Sequence, residues 1–185
     1  MVKIIAFTAK KETGKTTAVR YMMQKYPNAV QINFKDALVD ELKLFFPELL
    51  QTICDIYDKT EYDGMDPWTI EKLFRVKPPL VRSLMRNFGT EVRRYHDPDY
   101  WVNAWARKIE KCTADVVFVD DVRFMNEAGT VANHGGMLIR IESDKPVPED
   151  AHTSESEMHF ITPDKTVRNF FGSVEVLYKQ LDEIK

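Results

Sequence analysis

Residues 3–18, KIIAFTAKKETGKTTA, restrict the possible folds more than any other stretch of the chain. KIIAFT is a short, β-branched apolar run and predicts a buried strand. Gly14, Lys15 and Thr16 follow, and the segment from Thr16 to about Lys25 has helical character until YPN stops it. Strand, tight turn and helix in succession give the pattern G-x-x-x-x-G-K-[ST] its physical meaning. Backbone N–H groups of such a turn point at phosphate oxygens, and the helix N-terminus adds partial positive charge. Ala9 stands where the first glycine belongs. A Cβ makes left-handed backbone costly, so alanine is compatible with the turn if φ there stays negative. The loop and the first helical turn supply Lys11, Thr13, Gly14, Lys15, Thr16 and Thr17 as candidates for the phosphates of ATP. Lys15 would reach the β- and γ-phosphates and Thr16 would ligate Mg²⁺ through its hydroxyl.

A second stretch, DVVFVDDVR, supports the first. Val116 to Val119 are all apolar, as expected of a parallel strand covered on both faces. An apolar strand ending in aspartate is the other half of many nucleotide sites, where the carboxylate supports Mg²⁺ or its waters. Spacing leaves open which of Asp120 and Asp121 faces the metal. Arg123 could meet a phosphate or pair with Asp121 or Glu127.

Strands and helices alternate along the rest. AVQINF and MLIRIE predict strands, and HFIT a last short one. Residues 35–46, 79–94, 97–112, 127–136 and the C-terminal GSVEVLYKQLDEIK predict helices, with Gly89 ending or breaking the one over 79–94 and Ser173 capping the last. Residues 55–67 are polar and turn-rich and predict a surface loop or inserted lobe. The alternation implies one α/β domain over residues 1–185 with a parallel sheet, whose ligands bind at the carboxyl ends of the strands.

Composition narrows the class. A chain of 185 residues, 44% hydrophobic and 30% charged, suits one soluble globular domain. No apolar run is long enough to span a bilayer, and the N-terminal run lacks a signal peptide's h-region, so a cytoplasmic protein with no membrane partner is expected. Cys54 and Cys112 lie far apart without a metal-binding spacing and are expected to be structural thiols. The net charge of −3 argues against a nucleic-acid polymer as partner. Yet residues 72–94 carry Lys72, Arg75, Lys77, Arg82, Arg86, Arg93 and Arg94 against Glu91 alone, which suits a small anionic ligand. At 100° per residue, Arg82, Arg86 and Arg93 fall within about 40° of each other, opposite Leu84, Met85 and Phe88. Arginine forks suit bidentate phosphate binding. His152, Ser154 and Glu155 form HTSE, which lacks the elbow of a serine hydrolase and is expected to order over substrate.

In order along the chain, AKKETGKTT, FKDAL, VRSLMRNFGTE, DPDYWV, VDDVRFMNEA, HTSE and NFFGSVEVLYKQL resemble segments of the deoxynucleoside monophosphate kinases of bacteriophages. The resemblance spans most of the chain. It implies a P-loop NTPase fold of three α/β/α layers, similar to nucleoside monophosphate kinases, with a small helical substrate-covering region over about residues 47–105. It implies transfer of the γ-phosphate of ATP, with Mg²⁺, to a deoxynucleoside 5′-monophosphate. Lys11, Lys35, Asp36, Arg82, Arg86, Thr90, Tyr100, Trp101, Arg123, Glu127, His152 and Glu155 lie on matched positions and are the implied substrate-binding set. Lys15, Asp121 and Arg123 are the implied catalytic residues. Tyr100 and Trp101 could stack on the base or belong to the core. A host-cytoplasmic enzyme and a homodimer follow from the family alone.

Departures are present. Ala9 replaces glycine, Arg86 stands where glutamine is common, and Arg140 lies three residues ahead of the arginine often found after the fourth strand. Other acceptors, such as dephospho-coenzyme A or a hydroxymethylated base, remain open. A GTP-dependent switch is disfavoured because N-K-x-D is missing.

Overall fold

The computed structural model describes residues 2–10, 12–60, 66–144, 157–170 and 173–184. In chain order the elements are β1 (Lys3–Thr8), α1 (Lys15–Met23), β2 (Ala29–Gln31), α2 (Phe34–Phe45), α3 (Pro47–Thr60), α4 (Ile70–Val76) and α5 (Pro79–Arg86). A π-helical segment (Asn87–Arg94), α6 (Tyr100–Glu110), β3 (Val116–Val119), α7 (Met125–Asn133) and β4 (Met137–Ser143) follow. A 3₁₀ turn (Met158–Phe160), β5 (Lys165–Asn169) and α8 (Val174–Asp182) complete the described chain. Two compact units emerge: residues 1–34 with 102–185, and the continuous segment Lys35–Trp101 between them.

The first unit is built on a five-stranded sheet of order β2-β3-β1-β4-β5. Every pairing is parallel. Alternation along β1 sends Ile5 and Phe7 to one face, where α1 and α8 contribute Val19, Met22, Leu177 and Leu181. Ile4 and Ala6 face the other way and pack with Phe34, Val102, Trp105 and Val131. β3 is buried at all four positions. Its Val116 and Phe118 join the first cluster, and its Val117 and Val119 the second. The result is the expected three-layer α/β/α arrangement. Each such large aliphatic side chain adds about 1.5–3 kcal/mol when fully buried.

One strand expectation needs correction, and one strand was not foreseen. HFIT is not a strand, since Met158–Phe160 form a 3₁₀ turn. The last strand is β5, KTVRN, in which only Val167 is buried. It lies at the sheet edge, so nothing in its pattern announces a covered strand.

The second unit is helical. Its core joins Leu38 and Leu42 of α2, Leu50, Ile53, Cys54 and Tyr57 of α3, Leu73 and Phe74 of α4, Val81 of α5, and Trp101. The expected loop at residues 55–67 begins too early, because α3 continues to Thr60. Its apolar residues at 50, 53, 54 and 57 have the spacing of a buried helical face. Gly89 does not stop the helix begun at Pro79. The chain instead widens into the π-helical segment. Gly89 is buried there, and a Cβ on it would stand 3.2 Å from Leu38 Cδ2. A regular 100° step therefore fails beyond Arg86, and the arginine stripe extrapolated to Arg93 fails with it. Ser173 occupies the N-cap position of α8, but its side chain makes no capping hydrogen bond.

Candidate active site

The loop after β1 meets the backbone demands of a phosphate cradle. Positive φ falls at Glu12 (63°) and Gly14 (104°), and not at Ala9. Alanine is therefore accommodated at the first glycine position without left-handed strain. Thr13 is buried and its hydroxyl donates to the Lys10 carbonyl at 2.8 Å. The Lys15 ammonium bends back over the loop and donates to the carbonyls of Ala9 at 2.5 Å and Lys10 at 2.7 Å. Those carbonyls hold the cation at the mouth of the loop, a position from which it can turn to a phosphate. Thr16 and Thr17 are exposed in the first turn of α1.

Asn169, at the end of β5, donates from Nδ2 to the Thr13 carbonyl at 3.0 Å. The same nitrogen would lie 2.6 Å from a Cβ placed on Gly14. Asn169 opens the segment NFFGSVEVLYKQL noted in the sequence, but sequence reasoning gave it no role because β5 itself was missed.

The carboxyl end of β3 is tied to the segment after β2. The Asp120 N–H donates to Asn33 Oδ1 at 2.9 Å, and the Phe34 N–H donates to Asp121 Oδ1 at 3.1 Å. Ile32 donates its N–H to the Phe118 carbonyl and accepts the Trp105 indole N–H at 2.9 Å. Asn33 is only 6% exposed and had no sequence signal beyond its place before FKDAL. Ala6 is in register with Val119 and Thr8 with Arg140. The phosphate loop, Asp120–Asp121 and Arg140 therefore emerge at one edge of three adjacent strands. The Thr8 hydroxyl is buried at that edge, with no hydrogen-bond partner among the described residues.

Glu127 is 3% exposed, and its Oε2 accepts the N–H groups of Arg123 at 2.8 Å and Phe124 at 3.1 Å. This is half of a capping box, because Phe124 has no side-chain acceptor to return the bond. Glu127 thus fixes the turn that presents Arg123. Arg140 donates to the carbonyls of Met158 and Ile161, clamping the segment before β5.

Within the second unit, Lys35 and Asp36 are half-buried at the start of α2, Thr90 is half-buried, and Arg82 and Arg86 are exposed. Arg93, read above as part of the phosphate-binding face, is instead paired with Glu41. Tyr100 donates its hydroxyl to the same carboxylate. Trp101 is a core residue, 3% exposed, with its indole N–H on the Gly89 carbonyl at 3.0 Å. No ring face is left for a base, which corrects its place in the substrate-binding set. Lys11, His152, Ser154 and Glu155 lie outside the described residues. Cys54 and Cys112 are free thiols.

The profile of the family described as deoxynucleotide monophosphate kinase matches residues 50–181. The chain belongs to that family. It is a kinase, and the phosphate loop at residues 9–16 lies before the matched span, so its assignment rests on the geometry above. This kinase is 26% identical over 186 residues to a provisionally named deoxynucleotide monophosphate kinase of Acanthamoeba polyphaga mimivirus, covering 92% of this chain and 93% of that one. Among solved structures, dephospho-CoA kinase from Campylobacter jejuni is 13% identical, with coverage of 99% and 96% and a TM-score of 0.45. TT1252 from Thermus thermophilus is 15% identical, with coverage of 100% and 98% and a TM-score of 0.46.

The residues of the kinase fit Mg²⁺ carried by a nucleotide. Among the described residues no three His, Cys, Asp or Glu side chains gather as a metal cage. Mg²⁺ borne on phosphates needs only one or two protein oxygens and keeps its waters. The Thr16 hydroxyl and the Asp120 and Asp121 carboxylates are donors of that hard kind. No helix among the described residues is long and apolar enough to cross a membrane.

Proposed function

We propose that this kinase transfers the γ-phosphoryl group of ATP to a deoxynucleoside 5′-monophosphate, giving the diphosphate and ADP. Its place would be deoxynucleotide supply for phage DNA synthesis in the host cytoplasm, and a homodimer is part of the reading. The observation that carries it is the strand–loop–helix cradle, with Gly14 left-handed and Lys15 held at its mouth, in a chain of this family.

The acceptor phosphate oxygen is already nucleophilic near neutral pH, so no strong base is needed. Catalysis reduces to positioning and charge neutralisation. Backbone N–H groups of the loop and the α1 N-terminus receive the donor phosphates. Lys15 leaves the carbonyls of Ala9 and Lys10 and moves onto the β- and γ-oxygens. Thr16 and one of Asp120 and Asp121 would hold Mg²⁺, whose charge would offset that developing on the phosphates. Arg123, on the turn that Glu127 fixes, stabilises the phosphoryl in flight. On the second unit, Lys35, Asp36, Arg82, Arg86, Thr90 and Tyr100 are assigned to the acceptor nucleotide. Lys11, His152 and Glu155 belong to the same assignment through the family resemblance.

The test is ADP release in the presence of Mg²⁺, coupled to NADH oxidation, across dAMP, dGMP, dCMP, dTMP, 5-hydroxymethyl-dCMP and the ribonucleotides. Turnover with one or more deoxynucleotides, well above the ribonucleotides, is the expected result. Silence across the panel by a protein that still binds ATP would sink the reading and leave a kinase of another acceptor.

A further inference from the structure

The Asn169 side chain meets the phosphate loop in two ways. Nδ2 donates to the Thr13 carbonyl at 3.0 Å, and it occupies the space a Gly14 side chain would take, 2.6 Å from that Cβ position. The peptide joining Thr13 to Gly14 is planar and trans, so its C=O and N–H point in opposite directions. Holding the carbonyl toward Asn169 aims the Gly14 N–H away from Asn169. Rotation of that peptide would turn the N–H away from its place in the loop and expose a carbonyl, an oxygen that repels phosphate. Thr13 is also fixed on its other side, through the bond from its hydroxyl to the Lys10 carbonyl. Behind Asn169, the Ser173 N–H donates to the Phe170 carbonyl at 3.0 Å ahead of α8. The last strand thus has a direct hold on the loop, across a sequence separation of 156.

We infer that Asn169 is a positioning residue for the donor nucleotide: its amide sets the orientation of the Thr13–Gly14 peptide, and with it the capacity of the loop to bind the phosphates of ATP. The inference rests on the reading of residues 9–16 as the ATP loop. It does not depend on which acceptor is used.

The experiment compares wild type with Asn169→Ala and with Asn169→Asp, the latter isosteric and suited to folding should the alanine variant fail. Mg²⁺ and ADP are titrated calorimetrically with no acceptor present, and steady-state kinetics are measured with ATP and then the monophosphate varied. The expected result is ADP binding about tenfold weaker in Asn169→Ala and weaker still in Asn169→Asp, which also adds a negative charge. The KM for ATP should rise in parallel while the KM for the monophosphate stays within about twofold. ADP affinities within about twofold of wild type in both variants would overturn the inference. So would an equal rise in both KM values, which marks general loosening. A wild type that binds ADP but phosphorylates no deoxynucleotide would defeat the proposed reaction while leaving the ADP titration to decide on Asn169.

Discussion

Glu41 on α2 and Arg93 in the π-helical segment form an ion pair in which Nη2 at 2.9 Å and Nε at 3.0 Å converge on one carboxylate oxygen. The other oxygen accepts the Tyr100 hydroxyl. The guanidinium also lies 5.0 Å from the Phe88 ring centroid and 5.1 Å from that of Tyr100. One carboxylate thereby gathers α2, the π-helical segment and the start of α6. Glu41→Gln keeps the shape and removes the charge. It should lower stability by about 1–3 kcal/mol in urea unfolding. A double variant with Arg93→Met should recover part of that loss, since no cation is then left unmatched.

The proposed function gives Asp121 two separable tasks: its Oδ1 accepts the Phe34 N–H, and its charge is assigned to the Mg²⁺ of the nucleotide. Asp121→Asn can keep the hydrogen bond. Its turnover should fall about 100-fold, with a midpoint of thermal unfolding close to that of wild type. Asp121→Ala should fall as far in rate and lose about 1 kcal/mol of stability besides. Equal stability losses in the two variants would contradict this division.

Lys15→Ala should leave the sheet intact and the protein folded, because the bonds to Ala9 and Lys10 that it removes lie within the loop itself. Turnover should fall by about 10²–10³-fold. Unchanged activity in the coupled assay would remove the phosphate-loop reading altogether.

Gly14→Ala combines a left-handed φ of 104° with a clash against the Asn169 amide. It should cost about 1–3 kcal/mol in chemical denaturation. Adding Asn169→Ala clears the space but not the backbone strain, so only part of the stability should return.

The Cys54 thiol is buried, and burial followed by the charges of Asp58 and Asp55 pushes its pKa up. The folded state therefore favours the protonated thiol. That preference is fully kept below the ordinary thiol pKa of about 8.5 and is lost as pH rises past it, when the unfolded chain releases the proton more readily. Native protein at pH 8 should titrate with a thiol reagent at Cys112 first. Cys54 should react at the rate of global opening, and fast labelling of both would refute its enclosure.

The parts legible in the sequence were those written in local pattern. KIIAFT with G-K-T, and four apolar residues before Asp120, each carry their own signal, and the parallel sheet follows from alternation. β5 was hidden because an edge strand with Val167 as its one buried residue has no apolar run to read. The end of α3 was misread through its polar residues, although Leu50, Ile53, Cys54 and Tyr57 held the helical spacing. The π-helical segment could not be read, since Gly89 resembles a stop until Leu38 is seen packed against it. Asn33, Glu41 and Asn169 act through partners distant in sequence, and single polar residues carry no pattern of that kind.

The strand order also sets a timetable for synthesis. β1 pairs only with β3 and β4, whose registers begin at Val116 and Met137. A nascent chain therefore carries its first strand unpaired while the whole of Lys35–Trp101, a continuous segment with its own core, is made. That segment can fold while still tethered to the ribosome, as a local helical unit does quickly. The loop after β1, although translated among the first residues, receives the Asn169 bond to Thr13 only when β5 leaves the exit tunnel.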